Sequence, residues 1–150
     1  MHESRLEELR TEKNLTNRQI AKAINARENH YSEWEHNKIR IPTSRLVDLA
    51  KYYKVSIDYI LKLTNVKTHI FSNFDIDLNT ISNGLKEIRS DNKLTIREFA
   101  KEINIPFTTL SNYERGRTLI QVDILYKICK TKNYSADWLL GRTNNKYIEK

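Results

Sequence analysis

Cysteine is nearly absent from this chain. Cys129 stands alone among 150 residues, so no disulfide closes within the chain. Glycine occurs three times and proline twice, which leaves little of the chain to loop by composition. No apolar run approaches the roughly 18 residues that a membrane-spanning helix needs. The opening segment MHESRLEELR is charged and lacks the apolar stretch of a signal peptide. A reducing cytoplasm is therefore the expected location, with Cys129 as a small core residue. There is no glycine-rich phosphate loop, no nucleophile elbow and no carboxylate pair in an evident cleft. The histidines His2, His30, His36 and His69 have no partners at metal-ligand spacing. These gaps argue against an enzyme, a metal centre, a cofactor or a small-molecule site, and against a membrane protein.

What is present is charge and helix-forming sequence. Lys and Arg outnumber Asp and Glu by 26 to 19, for a net charge of +7 and a pI near 9.5. A basic surplus of this size draws polyanions, meaning nucleic acid or an acidic membrane face, although a solvated surface accounts for it equally well. An apolar content of 39% beside 30% charged residues suits compact helical units.

The chain repeats itself. Leu6 to Asn65 aligns without a gap on Leu85 to Asn144, and about a third of the positions are identical. Matches include Arg10 with Arg89, Leu15-Thr16 with Leu94-Thr95, Ala21-Lys22 with Ala100-Lys101, Ser32 with Ser111, Glu35 with Glu114 and Asp58 with Asp137. The repeats carry net charges of +3 and +4, so neither is an acidic regulatory half. The expected organisation is a first domain at 1–65, a linker at 66–78 and a second domain at 79–150. The linker, VKTHIFSNFDIDL, is apolar rather than rich in Gly, Ser or Pro, and is expected to pack on a domain or a partner chain.

Helical periodicity predicts five short helices per repeat and no strands. Helix one covers Ser4 to Lys13 and Thr80 to Asn92, with Asn79 as the N-cap of the latter. Helix two opens on capping boxes, Thr16 with Gln19 and Thr95 with Glu98. It buries Ile20, Ala21 and Ile24, or Phe99, Ala100 and Ile103. Asn25 and Asn104 follow, the best non-glycine residues for a positive-φ turn. Helix three covers Glu28 to His36 and Phe107 to Arg115, with Tyr31 and Trp34, or Leu110 and Tyr113, inward. It stops at Asn37 and Gly116, which tolerate a left-handed position. Helix four covers Thr43 to Tyr53 and Val122 to Lys132. Ser56 and Ser135 cap helix five, Ile57 to Leu61 and Ala136 to Leu140. Helix, tight turn and second helix with small polar residues outward is the layout of a helix-turn-helix.

LTIREFAKEINIPFTTLSNYERGR and YSADWLLGRTN in repeat two, and LTNRQIAKAI, SEWEHNK and VSIDYILKLTN in repeat one, resemble the lambda-repressor-like, Cro and Xre-type helix-turn-helix DNA-binding family of phage and bacterial regulators. The resemblance covers essentially all of each repeat. It implies an all-α fold of two tandem five-helix domains and a double-stranded DNA partner. It also implies that the start of helix two and the first turns of helix three face DNA. In repeat two this gives Thr95, Pro106, Phe107, Thr108, Thr109, Asn112 and Arg115. In repeat one it gives Thr16, Asn17, Arg27, Glu28, Asn29, His30 and Glu33. The loop after helix three, with Lys38, Arg40 and Arg117, would touch phosphates. Arg10 with Glu35, and Arg89 with Glu114, match the family's ion pair between helices one and three, and the resemblance also puts both arginines among the DNA-binding residues.

This chain departs from the family at Asn17 and Ile96, where glutamine is common, and at Glu28 and Glu33, which set carboxylates where a major groove would lie. Carboxylates accept from cytosine N4 yet repel phosphates. Repeat two has no acid at those positions and is the clearer DNA reader. A tandem is expected to read two unlike half-sites about 34 Å apart, which a 13-residue linker reaching roughly 40 Å allows. Self-association is expected through the linker or helix five. The expected function is a sequence-specific transcriptional repressor. The alternative is an antitoxin-like or antirepressor module that binds protein through the acidic helix of repeat one.

Overall fold

Threonine capping boxes open the second helix of both repeats. In the computed structural model, Thr16 Oγ1 accepts from the Gln19 amide at 3.1 Å while the Thr16 amide donates back to Gln19 Oε1 at 2.8 Å. Thr95 and Glu98 repeat this at 3.1 and 2.9 Å. The Thr95 amide, first of all, holds the Glu98 carboxyl below its ordinary range. The structure describes residues 3–70 and 75–150. Its helices are α1 (Leu6–Glu12), α2 (Asn17–Ala23), α3 (Glu28–Glu35), α4 (Thr43–Tyr53), α5 (Ile57–Ile60), α6 (Leu78–Asp91), α7 (Ile96–Glu102), α8 (Phe107–Glu114), α9 (Val122–Lys132) and α10 (Ala136–Leu139). The fold is all-α. Among the described residues, β pairing is one isolated antiparallel bridge, Tyr134 with Tyr147.

The chain forms two compact units, one built on α1–α5 and joined by Glu149–Lys150, the other on α6–α10. In the first, Leu6, Leu9, Ile20, Tyr31, Leu46, Leu49, Ile57 and Ile60 are at most 2% exposed. In the second, Ile81, Leu85, Ile88, Phe99, Leu110, Leu125, Ile128, Cys129 and Leu139 fill the same role. Cys129 is thus a core residue, as expected. His2, Phe71 and Phe74 lie outside the described residues, and with them the middle of the apolar linker.

Asp77, not Asn79, caps α6. Its carboxylate accepts from the Asn79 amide at 2.9 Å, and the helix begins two residues earlier than the periodicity indicates. Aspartate is the stronger cap by charge, since it also faces the positive end of the helix dipole.

The chain around the last helix of each unit is tied down by an arginine in a different way. In the first unit Arg5 lies 4.2 Å over the Tyr59 ring and donates to the Tyr59 carbonyl, the Thr64 carbonyl at 2.8 Å and Asn65 Oδ1 at 2.6 Å. The matching position of the second unit is Gly84, where a Cβ would stand 2.6 Å from Leu139 Cδ1. The second unit instead buries Arg142 against Asp137, with Nη1 2.5 Å from Oδ1.

Asn25 and Asn104 turn the chain between helices two and three, at φ 58° and 55°. Asn37 and Gly116 end helix three at φ 58° and 67°. Replacing Asn104 with valine should cost the second unit about 1–2 kcal/mol, since a β-carbon branch crowds the left-handed conformation. Asn104→Gly should be nearly neutral. Urea midpoints of the two variants check this, with Val well below Gly.

Candidate nucleic-acid interface

The turn asparagines hold helices two and three at a fixed angle. The Asn104 amide donates to the Lys101 carbonyl at 3.2 Å, and Ile105 to Ala100 at 3.0 Å. Asn25 to Lys22 at 3.1 Å and Ala26 to Ala21 at 2.8 Å form the first-unit counterpart. There Arg45 adds a clamp absent from the sequence reading, donating to the carbonyls of Ile24 at 2.9 Å and Asn25 at 3.1 Å. The second unit has Ile124 at that position.

Behind the turn, an ion pair fixes the end of helix three. Arg10 Nε donates to both Glu35 carboxylate oxygens at 3.0 and 3.2 Å, Nη2 to Oε1 at 2.8 Å, and Nη1 to the Leu15 carbonyl at 2.8 Å. Arg89 Nε lies 3.2 Å from both oxygens of Glu114, and Nη1 donates to the Leu94 carbonyl at 3.3 Å. Arg10 thus directs donors on all three of its guanidinium nitrogens, and Arg89 those on Nε and Nη1, inside their own units. Burial pushes the Glu114 carboxyl up, opposed by the Arg89 charge. Hydrogen bonding to Glu35 pushes the Arg10 guanidinium up. Ser82 donates to the Glu114 carbonyl, a second tie from α6 to α8.

With Leu110, Ser111, Tyr113 and Glu114 buried, α8 presents one face outward. Pro106, its N-cap, is exposed, as is Thr108; Phe107, Thr109 and Asn112 are half-buried. Thr108 and Asn112 are one helical turn apart and lie on the same side. At the far end the Gly116 amide donates to Tyr113 and the Arg117 amide to Asn112 at 3.0 Å. This closure places exposed Arg115 and Arg117 beside that face. Arg97 also belongs here, although the sequence reading passed over it. Its guanidinium lies 4.3 Å from the centroid of the Phe107 ring. An exposed arginine on α7 looks like ordinary solvated surface until the crossing of α7 and α8 is known.

In the first unit Tyr31, Trp34 and Glu35 are buried, and Arg27, Glu28, Asn29 and His30 are exposed, with Glu33 half-buried. His30 sits against Trp34, ring centroids 6.4 Å apart. Lys38 and Arg40 are exposed in the loop beyond. The Lys38 amide is bonded to the Glu33 carbonyl at 2.8 Å. Asn17 is half-buried, and its Oδ1 has no partner among the described residues. Thr16 and Thr95 commit their hydroxyl oxygens to capping, which leaves each an O–H to donate. Among the described residues, no group of His, Cys, Asp and Glu could hold a metal ion, and no helix is long and apolar enough to cross a membrane.

Two family models match, one described as a helix-turn-helix domain over residues 4–66 and one as helix-turn-helix over residues 85–139. The HTH-type transcriptional regulator YobD of Bacillus subtilis is 40% identical over 65 residues, 43% of this chain and 58% of that protein. The HTH-type transcriptional regulator ImmR of the same organism is 41% identical over 58 residues, 39% of this chain and 46% of that protein. The chain thus spans about half the length of the curated relatives it matches. Among solved structures, the clp gene regulator ClgR from Corynebacterium glutamicum is 26% identical, with a TM-score of 0.40, over 43% of this chain and 69% of that one.

Proposed function

We propose, from a chain that belongs in both halves to the Xre-type helix-turn-helix family of transcriptional regulators, that the protein is a sequence-specific duplex-DNA reader acting as a repressor. The observation that carries this is the outward face of α8. Phe107, Thr108 and Asn112 stand there with no acidic side chain between them, and Arg97, Arg115 and Arg117 flank them. Phe107 suits a thymine methyl, while Thr108 and Asn112 suit base-edge hydrogen bonds in the major groove. Arg115 and Arg117 suit the phosphates that fix register. In the first unit α3 takes the same place, with Arg27, Asn29 and His30 toward the bases and Lys38 and Arg40 toward phosphates. Glu28 and Glu33 there accept from cytosine N4, so the two half-sites differ. Because the two carboxylates also repel DNA, a protein partner for the first unit is the second reading.

Selection of bound duplexes from a randomised pool at low salt tests both. The expected result is an enriched site with two unlike halves about one helical turn apart. Its affinity should fall by about a thousandfold or more between 50 and 200 mM salt if some six phosphates are contacted. An unenriched pool overturns the DNA-reading function. A site with a single half, bound by the second unit alone, assigns the first unit to protein.

A further inference from the structure

We propose that Arg97, supported by Phe107, is a specificity-determining residue of the second unit, and that the pair reads a thymine–guanine step in the major groove. This rests on the DNA-reading function above and names one element of its operator. Arg97 is the second residue of α7 and Phe107 the first of α8, so their contact spans the turn at Asn104. The guanidinium lies 4.3 Å from the ring centroid, and no hydrogen bond or ion pair among the described residues takes up its N–H groups. Stacking engages the face of the guanidinium and leaves its donors pointing along its own plane. Two such donors match guanine O6 and N7, and the exposed part of the ring matches a thymine methyl on the neighbouring base. A contact to phosphate would need only a point charge on a free stem. Here the guanidinium is held over the ring of the first residue of the helix that enters the groove, which favours base reading. The first unit supplies an internal contrast: it keeps the arginine, Arg18, but has Glu28 in place of Phe107. Among the described residues no aromatic ring lies against Arg18 as Phe107 lies against Arg97, so the first unit's half-site should lack the step.

The test uses the full chain and a duplex enriched by the unaltered protein, with every base pair of the second unit's half-site changed in turn. The unaltered protein should discriminate for a thymine–guanine step by on the order of ten- to hundredfold. Arg97→Ala and Arg97→Lys should lose that discrimination and keep it at the other positions. Phe107→Leu, which retains apolar contact but not the π face, should lose the guanine preference more than the thymine preference. Circular dichroism melts confirm that all three variants are folded. A half-site without the step, or an Arg97→Ala loss equal on every duplex with a salt slope lower by about one, overturns the proposal while leaving DNA reading intact. No enrichment by the unaltered protein overturns both.

Discussion

Asp137→Ala should unfold the second unit under conditions in which the first remains folded. Asp137 is fully buried, and the Arg142 side chain opposite is 3% exposed. Arg142 Nη1 bonds Asp137 Oδ1, and its backbone amide bonds the Asp137 carbonyl at 2.7 Å. Nε and Nη2 have no protein partner among the described residues. The carboxylate is therefore the main compensation for a guanidinium withdrawn from water. Its removal leaves a buried cation uncompensated, at a cost of about 3–5 kcal/mol. A small unit holds only about 5–15 kcal/mol in total, so the variant sits at the edge of folding. Removing both partners is a different operation. Asp137→Leu with Arg142→Met substitutes apolar volume for the pair and should recover most of the loss. The two tryptophans report on different units, Trp34 on the first and Trp138 on the second. Urea melts followed by fluorescence in a Trp34→Phe background, with amide exchange to assign protection, separate them. A midpoint unchanged by Asp137→Ala would mean that the pair contributes nothing to folding.

The contrast with the first unit shows what was legible in the sequence. Periodicity, threonine caps and turn asparagines are local signals, and each acts through a few successive residues, so the ten helices and the left-handed positions at Asn25, Asn37, Asn104 and Gly116 could be read directly. Lys54 and Asn133, which end α4 and α9 at φ 57° and 65°, were less accessible. Lysine has no left-handed preference of its own, so nothing local in the sequence marks Lys54. Asp77 and Asn79 compete as caps within one turn, and propensity alone does not rank them. Arg5, Arg45 and Arg97 went unread for a common reason: each makes its contact with residues of another segment that periodicity does not bring together. Arg142 is different, since its partner Asp137 stands only five residues away, and what escaped notice was that the short turn between them buries both charges. Arg10 and Arg89 were placed in the ion pair by family pattern, and the geometry shows that pair, with Glu35 and Glu114 as the acids. The outward residues of α8 were legible because its inward residues were: Leu110, Tyr113 and Glu114 leave only one face for Thr108 and Asn112.

That face supports the second large effect. Thr108→Ala with Asn112→Ala should abolish the sequence preference of the second unit while leaving the protein folded. Neither side chain belongs to the core, and alanine is the better helix former at both positions, so stability should move by no more than about 0.5 kcal/mol. Each base-edge contact is worth about 1–3 kcal/mol of discrimination. Together the two substitutions should weaken binding to the selected duplex by roughly thirty- to twenty-thousandfold. Affinity for unrelated duplex should stay the same, because neither side chain is charged and the phosphate contacts survive. For the same reason the slope of affinity against salt should not change. Removing Arg117, by contrast, should weaken all duplexes alike and lower that slope by about one. Competition binding at two salt concentrations distinguishes these outcomes. If the double alanine variant selects the same site as the unaltered protein, α8 does not read bases, and the arginines around it serve some other anionic partner.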